Sequence, residues 1–202
     1  MVIVFARRPR AGRVKRRLAH AVGRRRAAAL YARTLARTLA MVAALRGVRR
    51  ELRVADGRDL AWFARLRRAG WQVGAQRGRD LGARMAAALA VPLAQGAPVL
   101  LLGSDLRDVT AADLVRARDA LVAGVEVVFG APADGGYWLV GLRRPCPELF
   151  EAMTWSTPRV LATSLARARA AGRTVEVLSP RRDLDHGRDL LRGAPPARMP
   201  RT

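Results

Sequence analysis

Residues 98–108 read Pro-Val-Leu-Leu-Leu-Gly-Ser-Asp-Leu-Arg-Asp. The run from Val99 to Leu102 is apolar without alternation, which is typical of a strand buried on both faces of a parallel sheet. It ends in Gly103, Ser104 and Asp105, so a carboxylate follows directly after the strand. Open α/β sheets bind ligands beyond the carboxyl ends of their strands. The stretch therefore predicts a central strand that carries Asp105 to a ligand site, or to a turn or helix cap.

Short runs rich in Val, Ile and Leu recur along the whole chain and predict further strands. With the stretch at 98–102, they lie at 2–5, 51–54, 71–74, 125–129, 137–140 and 174–178. Helical patterns separate most of them, and the clearest runs from Arg24 to Arg46. There Tyr31, Leu35, Thr38, Val42 and Leu45 share one helical face. Strands that alternate with helices predict an α/β fold, a mainly parallel sheet with helices on both faces.

Two segments carry the residue pattern of a helix start. Thr110 and Asp113 have the spacing of a capping box. Ser156-Thr157-Pro158 places a capping residue before a proline at the first helical position. Both segments predict helices that begin directly after them.

Length and composition favour one globular domain. The chain has 202 residues, of which 50% are hydrophobic, and a single cysteine that cannot form an internal disulfide. No stretch approaches the roughly 18 apolar residues of a membrane span, and we expect a cytoplasmic protein. We assign residues 1–192 to the domain and 193–202, which are rich in proline, to a flexible tail.

The charge is strongly positive, at +22, with 38 basic against 16 acidic residues. Such a balance predicts attraction to polyanions, although the arginines are spread over nearly every segment, which also fits a bias in codon supply. Aromatic residues make up only 5% of the chain, which is thin for base stacking. We therefore expect a small phosphorylated ligand and no specific nucleic acid.

The first predicted strand leads into a cation-rich loop at residues 6–18. This loop contains Gly12 and Lys15, the only lysine of the chain. Backbone N–H groups and cationic side chains at the carboxyl end of a strand can bind phosphates. The loop has the glycine spacing of neither a Walker loop nor a dinucleotide fingerprint. It predicts a phosphate site, or simply a solvated charged surface.

Two further segments place carboxylates beside the predicted sheet. Asp134-Gly135-Gly136 precedes a strand, and its glycines would let the backbone approach a ligand closely, unless the segment is a tight turn. Asp183 and Asp185 follow the last strand on alternating positions, so in an extended segment both side chains point the same way. Such a pair is also found as solvated charge on surface loops.

The order of these motifs resembles a bacterial glycosyltransferase-like family known as domain of unknown function 2064. The resemblance spans roughly residues 1–192 and rests on six segments, which lie at 9–18, 76–85, 103–105, 132–142, 155–158 and 183–185. It departs from the usual family pattern at three places. Arg16 stands where serine or threonine is common, Leu106-Arg107 replaces Cys-Pro, and His186-Gly187 replaces Thr-Pro. These departures leave the cations and carboxylates in place, so they bear on the choice of donor or acceptor more than on catalysis.

The resemblance implies the GT-A nucleotide-diphospho-sugar transferase fold, Rossmann-like and single-domain, with a nucleotide near the first loop and a divalent cation at Asp105. On this basis we assign the candidate site residues by role. We assign nucleotide binding to Gly12, Lys15, Arg17, Arg84 and Ser104, and the binding of Mg²⁺ or Mn²⁺ to Asp105, Asp185 and Asp183. We assign catalysis to Asp134 and Lys15. The acceptor side consists of Gly135, Gly136, Trp155, Ser156 and Thr157. Asp134 would act as general base or bind sugar hydroxyls, and Trp155 would serve as a lid or as a packing residue.

The sequence is compatible with three functions. The first is metal-dependent transfer of a sugar from a nucleotide sugar to an unknown small acceptor. The second is nucleotidyl transfer from a nucleoside triphosphate with release of pyrophosphate. The third is a non-catalytic module that binds nucleotides or polyanions.

Overall fold

The computed structural model describes residues 1–132 and 136–181. Seven strands lie at Val2–Ala6 (β1), Arg50–Val54 (β2), Trp71–Ala75 (β3), Val99–Gly103 (β4), Val127–Pro132 (β5), Leu139–Leu142 (β6) and Val175–Arg181 (β7). Six α-helices lie at Arg16–Val22 (α1), Arg24–Ala43 (α2), Arg65–Arg68 (α3), Leu81–Ala94 (α4), Ala111–Val122 (α5) and Val160–Ala170 (α6). Each predicted strand is confirmed, with shifts of a few residues at its ends. The tail predicted at 193–202 lies outside the described residues.

The strands form one sheet in the order β3-β2-β1-β4-β6-β5-β7. Only β6 is antiparallel to its neighbours, β4 and β5. A short connection joins β5 to β6, and short connections suit antiparallel strands, whereas parallel strands need longer crossovers. The mainly parallel sheet predicted from the sequence is confirmed.

Helices cover both faces of the sheet. Val2 and Val4 of β1 pack with the α2 and α5 side chains, and Ile3 packs with α4 and α6 on the other face. This division follows from the two-residue period of a strand. The predicted α2 face, from Tyr31 to Leu45, is buried along its whole length. The all-apolar run of β4 is buried on both sides.

One helix start is confirmed and the other is wrong. Thr110 caps α5, where its side chain and that of Asp113 form a reciprocal capping box. Helix α6, by contrast, begins at Val160 and not directly after Ser156. Ser156 has a φ of 64°, in the left-handed region. A residue in that conformation turns the chain away from a helical path, so the helix starts only after Pro158.

The topology places a switch point between β1 and β4. The chain leaves β1 toward β2 on one side, and β4 pairs with β1 on the other side. Crossovers that diverge in this way open a crevice at the carboxyl ends of the two strands. The cation-rich loop and Asp105 both lie at this edge, as the sequence predicts.

Within residues 1–132 and 136–181, we find no helix whose length and apolarity would suit a membrane span.

Candidate functional site at the switch point

An ion pair joins the loop after β1 to the end of β4. Lys15 Nζ lies 2.6 Å from Asp105 Oδ2. The side chain of Lys15 is only 6% exposed, whereas that of Asp105 is 35% exposed. The pair therefore holds a largely buried cation beside a carboxylate that solvent or a ligand can reach. The sequence predicts Lys15 as a phosphate-binding residue and Asp105 as a cation ligand, and the structure brings these two side chains together.

The backbone of Lys15 is held in an unusual conformation. Lys15 directly precedes α1, and its φ of 46° and ψ of 49° lie in the left-handed region. Non-glycine residues rarely adopt this conformation, and strain of this kind concentrates at functional sites. Gly12, three residues earlier, has a φ of 77° in the turn that closes between Arg10 and Arg13. These two turns direct the lysine back toward β4.

Ser104 has a structural role that differs from the predicted one. It is 4% exposed, and its hydroxyl lies 2.7 Å from the Tyr31 hydroxyl. The Tyr31 oxygen also accepts a hydrogen bond from the backbone N–H of Arg7 at 2.9 Å. Burial raises the pKa of Tyr31, so this hydroxyl stays neutral. The Ser104 side chain thus ties the end of β4 to α2, directly before Asp105. Its role in nucleotide binding stays a prediction.

This tether predicts a measurable loss of stability. In Tyr31→Phe, the Arg7 N–H and the Ser104 hydroxyl both lose a partner, and an unsatisfied buried group costs about 1–3 kcal/mol. We expect the free energy of unfolding in urea to fall by that amount. Thr34→Ala is the control, because the Thr34 hydroxyl bonds only to a carbonyl of its own helix. Equal unfolding midpoints for Tyr31→Phe and the parent would contradict the tether.

A buried aspartate that the sequence analysis missed anchors the cation-rich loop. Asp59 follows β2, and its Oδ1 lies 2.7 Å from an Arg10 nitrogen and 3.6 Å from an Arg8 nitrogen. Arg8 also lies over the ring of Trp62, 5.8 Å from its centroid. The signal that could have identified Asp59 is its place: it follows a parallel strand, as Asp105 does. Its contacts fix where the loop arginines lie.

The remaining predicted nucleotide residues lie around the same edge. Arg17 is exposed on the first turn of α1. Arg84 is half-buried on α4, and its Nε donates to the Gly78 carbonyl at 3.1 Å. That bond braces the loop between β3 and α4. Arg84 therefore supports the rim of the crevice, and its role in nucleotide binding stays a prediction.

A cavity of about 260 Å³ lies on the α4 and α6 side of the sheet, at the carboxyl end of β4. The predicted acceptor residues Gly136, Trp155, Ser156 and Thr157 all line it. Sequence reasoning missed the rest of the wall, which consists of Phe5, Leu81, Met85, Leu101, Leu102, Gly103, Tyr137, Trp138 and Val160. A β-carbon added at Gly103 would lie 3.3 Å from Asp105 Oδ1. The Asp105 carboxylate therefore lies close to Gly103, a residue of the cavity wall.

Close packing holds the aromatic wall in place. A β-carbon added at Gly82 would lie 2.8 Å from the Trp155 indole, so α4 and Trp155 meet in direct contact. Trp155 also meets the Tyr137 ring edge to face, with centroids 6.3 Å apart. Burial raises the pKa of the Tyr137 hydroxyl, an effect that the Ser164 hydroxyl opposes. The wall is therefore closely packed at Trp155 and uncharged at Tyr137.

The strained backbone at Ser156 predicts a stabilising substitution. A left-handed conformation costs a non-glycine residue about 1–2 kcal/mol, a penalty that glycine does not have. We expect Ser156→Gly to raise the free energy of unfolding by about 0.5–1 kcal/mol. The neighbouring Thr157→Gly has no such strain to relieve and should lower it. Chemical denaturation of both variants measures this, and a Ser156→Gly protein less stable than the parent would argue against strain.

Several predicted residues lie outside the described part of the chain. These are Asp134 and Gly135 of the acceptor side, and Asp183 and Asp185 of the predicted cation site. Among the described residues, no three His, Cys, Asp or Glu side chains are grouped as a metal-binding cluster. A Mg²⁺ ion often binds proteins through one or two carboxylates, with phosphates and water completing its shell. Asp105 offers one accessible carboxylate, which fits that mode of binding.

The fold is shared with nucleotide-dependent transferases. A candidate nucleotide-diphospho-sugar transferase from Desulfovibrio desulfuricans G20 has a TM-score of 0.83 at 29% identity, covering 92% of this chain and 81% of that one. An inositol-1-phosphate CTP transferase from T. maritima has a TM-score of 0.59 at 14% identity, covering 93% and 90%. The CMP:2-keto-3-deoxy-manno-octonic acid synthetase complexed with CTP has a TM-score of 0.57 at 12% identity, covering 95% of both chains. The last two show likeness of fold alone.

No curated protein matches the sequence at a significant level. The family described as "Uncharacterized protein conserved in bacteria (DUF2064)" matches residues 38–157, which is more than half of the chain. This match includes β4 with Asp105 and the Trp155 wall of the cavity. The chain belongs to the bacterial DUF2064 family.

Proposed function

We propose that this protein is a transferase that moves a sugar from a nucleotide-diphospho-sugar to a small acceptor, with Mg²⁺ or Mn²⁺ as cofactor. The observation that carries the proposal is the Lys15–Asp105 pair at the switch point, with a cavity of about 260 Å³ at the carboxyl end of β4. The fold shared with the Desulfovibrio protein supports the same reaction class.

The diphosphate is the leaving group, and its negative charge must be neutralised. The proposal gives this task to Lys15 and Arg17, with the Gly12 turn letting the loop approach the phosphates. Lys15 is suited to it because its buried ammonium is held at a defined position by Asp105. A fixed cation needs little rearrangement when charge develops on the leaving oxygen.

Asp105 would hold the divalent cation, with Asp185 and Asp183 as further proposed ligands. When bound, such a cation stabilises the charge that develops on the diphosphate. In the structure, Asp105 Oδ2 contacts Lys15, while Oδ1 lies near Gly103 of the cavity wall. In this proposal, the carboxylate would stand between the phosphate site and the acceptor site.

The acceptor would enter through the cavity lined by Trp155, Ser156 and Thr157. Its hydroxyl must lose a proton as it attacks, and we assign that proton to Asp134 as general base, with sugar-hydroxyl binding as the other role open to this carboxylate. Gly135 and Gly136 would let the acceptor approach the backbone. These roles rest on the sequence and on the place of Gly136 and Trp155 in the cavity wall.

A second candidate is nucleotidyl transfer. Its support is the fold, since two of the compared structures are named as a CTP transferase and a CMP-sugar acid synthetase. In that reaction the acceptor attacks the α-phosphate of a nucleoside triphosphate, and pyrophosphate leaves.

One incubation separates the two reactions. The protein is mixed with Mn²⁺, a panel of nucleotide sugars or nucleoside triphosphates, and a panel of small alcohols and sugar phosphates. We expect release of nucleoside diphosphate from a nucleotide sugar. Release of pyrophosphate instead would establish the second candidate, and release of neither by a folded protein that binds nucleotide would contradict both.

The high charge tests the non-catalytic alternative. If the arginines serve a small phosphorylated ligand, we expect duplex DNA to bind without sequence preference. Its affinity should fall at least about a hundredfold between 50 and 200 mM salt, because such binding depends on counterion release. Fluorescence anisotropy with unrelated duplexes measures this. Tight binding of one sequence that persists at physiological salt would favour a nucleic-acid-binding module.

A further inference from the structure

The wall of the 260 Å³ cavity is uncharged over all its described residues. It combines aliphatic and aromatic side chains with glycines, Ser156 and Thr157. Charged residues make up 27% of the chain. A wall without charge in so charged a protein indicates a surface built for an uncharged group, because desolvating a charge against apolar atoms is costly.

The acceptors of the second candidate reaction would not suit this wall. A sugar phosphate brings at least one negative charge, which needs a cationic partner or water. Two arginines of the first loop, Arg8 and Arg10, face Asp59 instead. None of the described residues that line the cavity carries a positive charge that could pair with a phosphate.

The cavity is mostly apolar, with one carboxylate close to its wall. A β-carbon added at Gly103 would lie 3.3 Å from Asp105 Oδ1. Phe5, Met85 and Val160 line the apolar part, and Met85 is only 3% exposed. A volume of about 260 Å³ lies just below the roughly 300 Å³ at which small-molecule sites begin, so it suits a compact ligand.

We infer that the acceptor is a small, uncharged alcohol with an apolar ring or branched body, which packs against Trp155 and Leu81 with its hydroxyl toward Asp105. That this alcohol is an acceptor rests on the proposed function. Its binding in the cavity does not depend on that function. The ligand that suits the chemistry of this site has an apolar body and one hydroxyl.

Direct binding tests the inference without any turnover. The probe is benzyl alcohol, compared with glucose and glucose 1-phosphate at physiological salt, and the readout is the indole N–H signal of Trp155 in NMR spectra. Trp155→Phe identifies that signal among the four tryptophans. We expect benzyl alcohol to shift it saturably and the two sugars to shift it at least tenfold more weakly.

Two matched variants locate the site. Leu81 and Val91 are both exposed apolar residues of α4, at 42% and 63%, but only Leu81 lines the cavity. We expect Leu81→Arg to weaken benzyl alcohol binding about tenfold, and Val91→Arg to leave it within twofold of the parent. Leu81→Gln provides a second, uncharged measure if the arginine variant does not fold.

Either of two results would overturn the inference. One is glucose 1-phosphate or glucose shifting the Trp155 signal as tightly as benzyl alcohol. The other is equal affinities of the parent and both Leu81 variants. Failure of the proposed function is recognised separately: it is the absence of nucleoside diphosphate release with every acceptor, even where benzyl alcohol binds.

Discussion

Lys15→Ala is expected to weaken nucleotide binding at least about tenfold, because a charge-assisted hydrogen bond to phosphate contributes about 1.5–3 kcal/mol. Lys15 is the only lysine among 38 basic residues, and its side chain, which contacts Asp105, is only 6% exposed. Lys15→Arg should also be impaired, since the larger, planar guanidinium does not fit the largely buried space that the compact ammonium occupies. Nucleotide titration by calorimetry measures all three proteins.

The control for Lys15 is Arg46→Ala. It removes one positive charge at the opposite edge of the sheet, since Arg46 lies between α2 and the start of β2. Its nucleotide affinity should match that of the parent. In Lys15→Ala, Mn²⁺ should bind without loss of affinity, because the cation no longer shares Asp105 with an ammonium. Equal nucleotide affinities for the parent, Lys15→Arg and Lys15→Ala would show that Lys15 only pairs with Asp105.

Asp105→Asn is expected to abolish the dependence of nucleotide binding on Mn²⁺ while the protein stays folded. An amide keeps the shape and one oxygen of the carboxylate, but it loses the charge that a divalent cation requires. The substitution leaves Ser104 and its bond to Tyr31 intact, so the end of β4 should keep its position. Calorimetric titrations of nucleotide with and without Mn²⁺ measure the effect.

Asp108→Asn is the matched control for Asp105. Asp108 lies in the same loop, three residues on, and is exposed. It should retain the Mn²⁺ dependence of the parent. If Mn²⁺ changes nucleotide affinity equally in the parent and in Asp105→Asn, Asp105 is not a cation ligand. Its role would then be to hold Lys15.

Much of the fold can be predicted from residue order because its signals are local. The buried strand at 99–102, the helical face that begins at Tyr31 and the capping box at Thr110 each follow from periodicity or short spacing. The helix predicted to begin at Pro158 begins two residues later, at Val160, and Ser156 before it has a left-handed φ of 64°. A capping residue before proline carries no signal of that conformation.

The site could be predicted only in part. Asp105 and Lys15 were identified because each follows a strand whose carboxyl end must lie at the ligand edge of a parallel sheet. Tyr31 was predicted only as a core residue, yet its hydroxyl ties Ser104 to Arg7. Leu81 and Met85 likewise follow an ordinary apolar pattern, and nothing in that pattern indicates a cavity.

The sequence alone therefore determined the alternation of strands and helices, and with it the edge of the sheet at which charged residues collect. Periodicity and the right-handed crossover of parallel strands are sufficient for that. Only the tertiary structure decided that Lys15 and Asp105, 90 residues apart, form an ion pair, that Ser104 turns inward to Tyr31, and that Trp155 closes an uncharged cavity beside them. Those contacts depend on how separate elements pack, which is a property of the whole chain and is not encoded in any one segment.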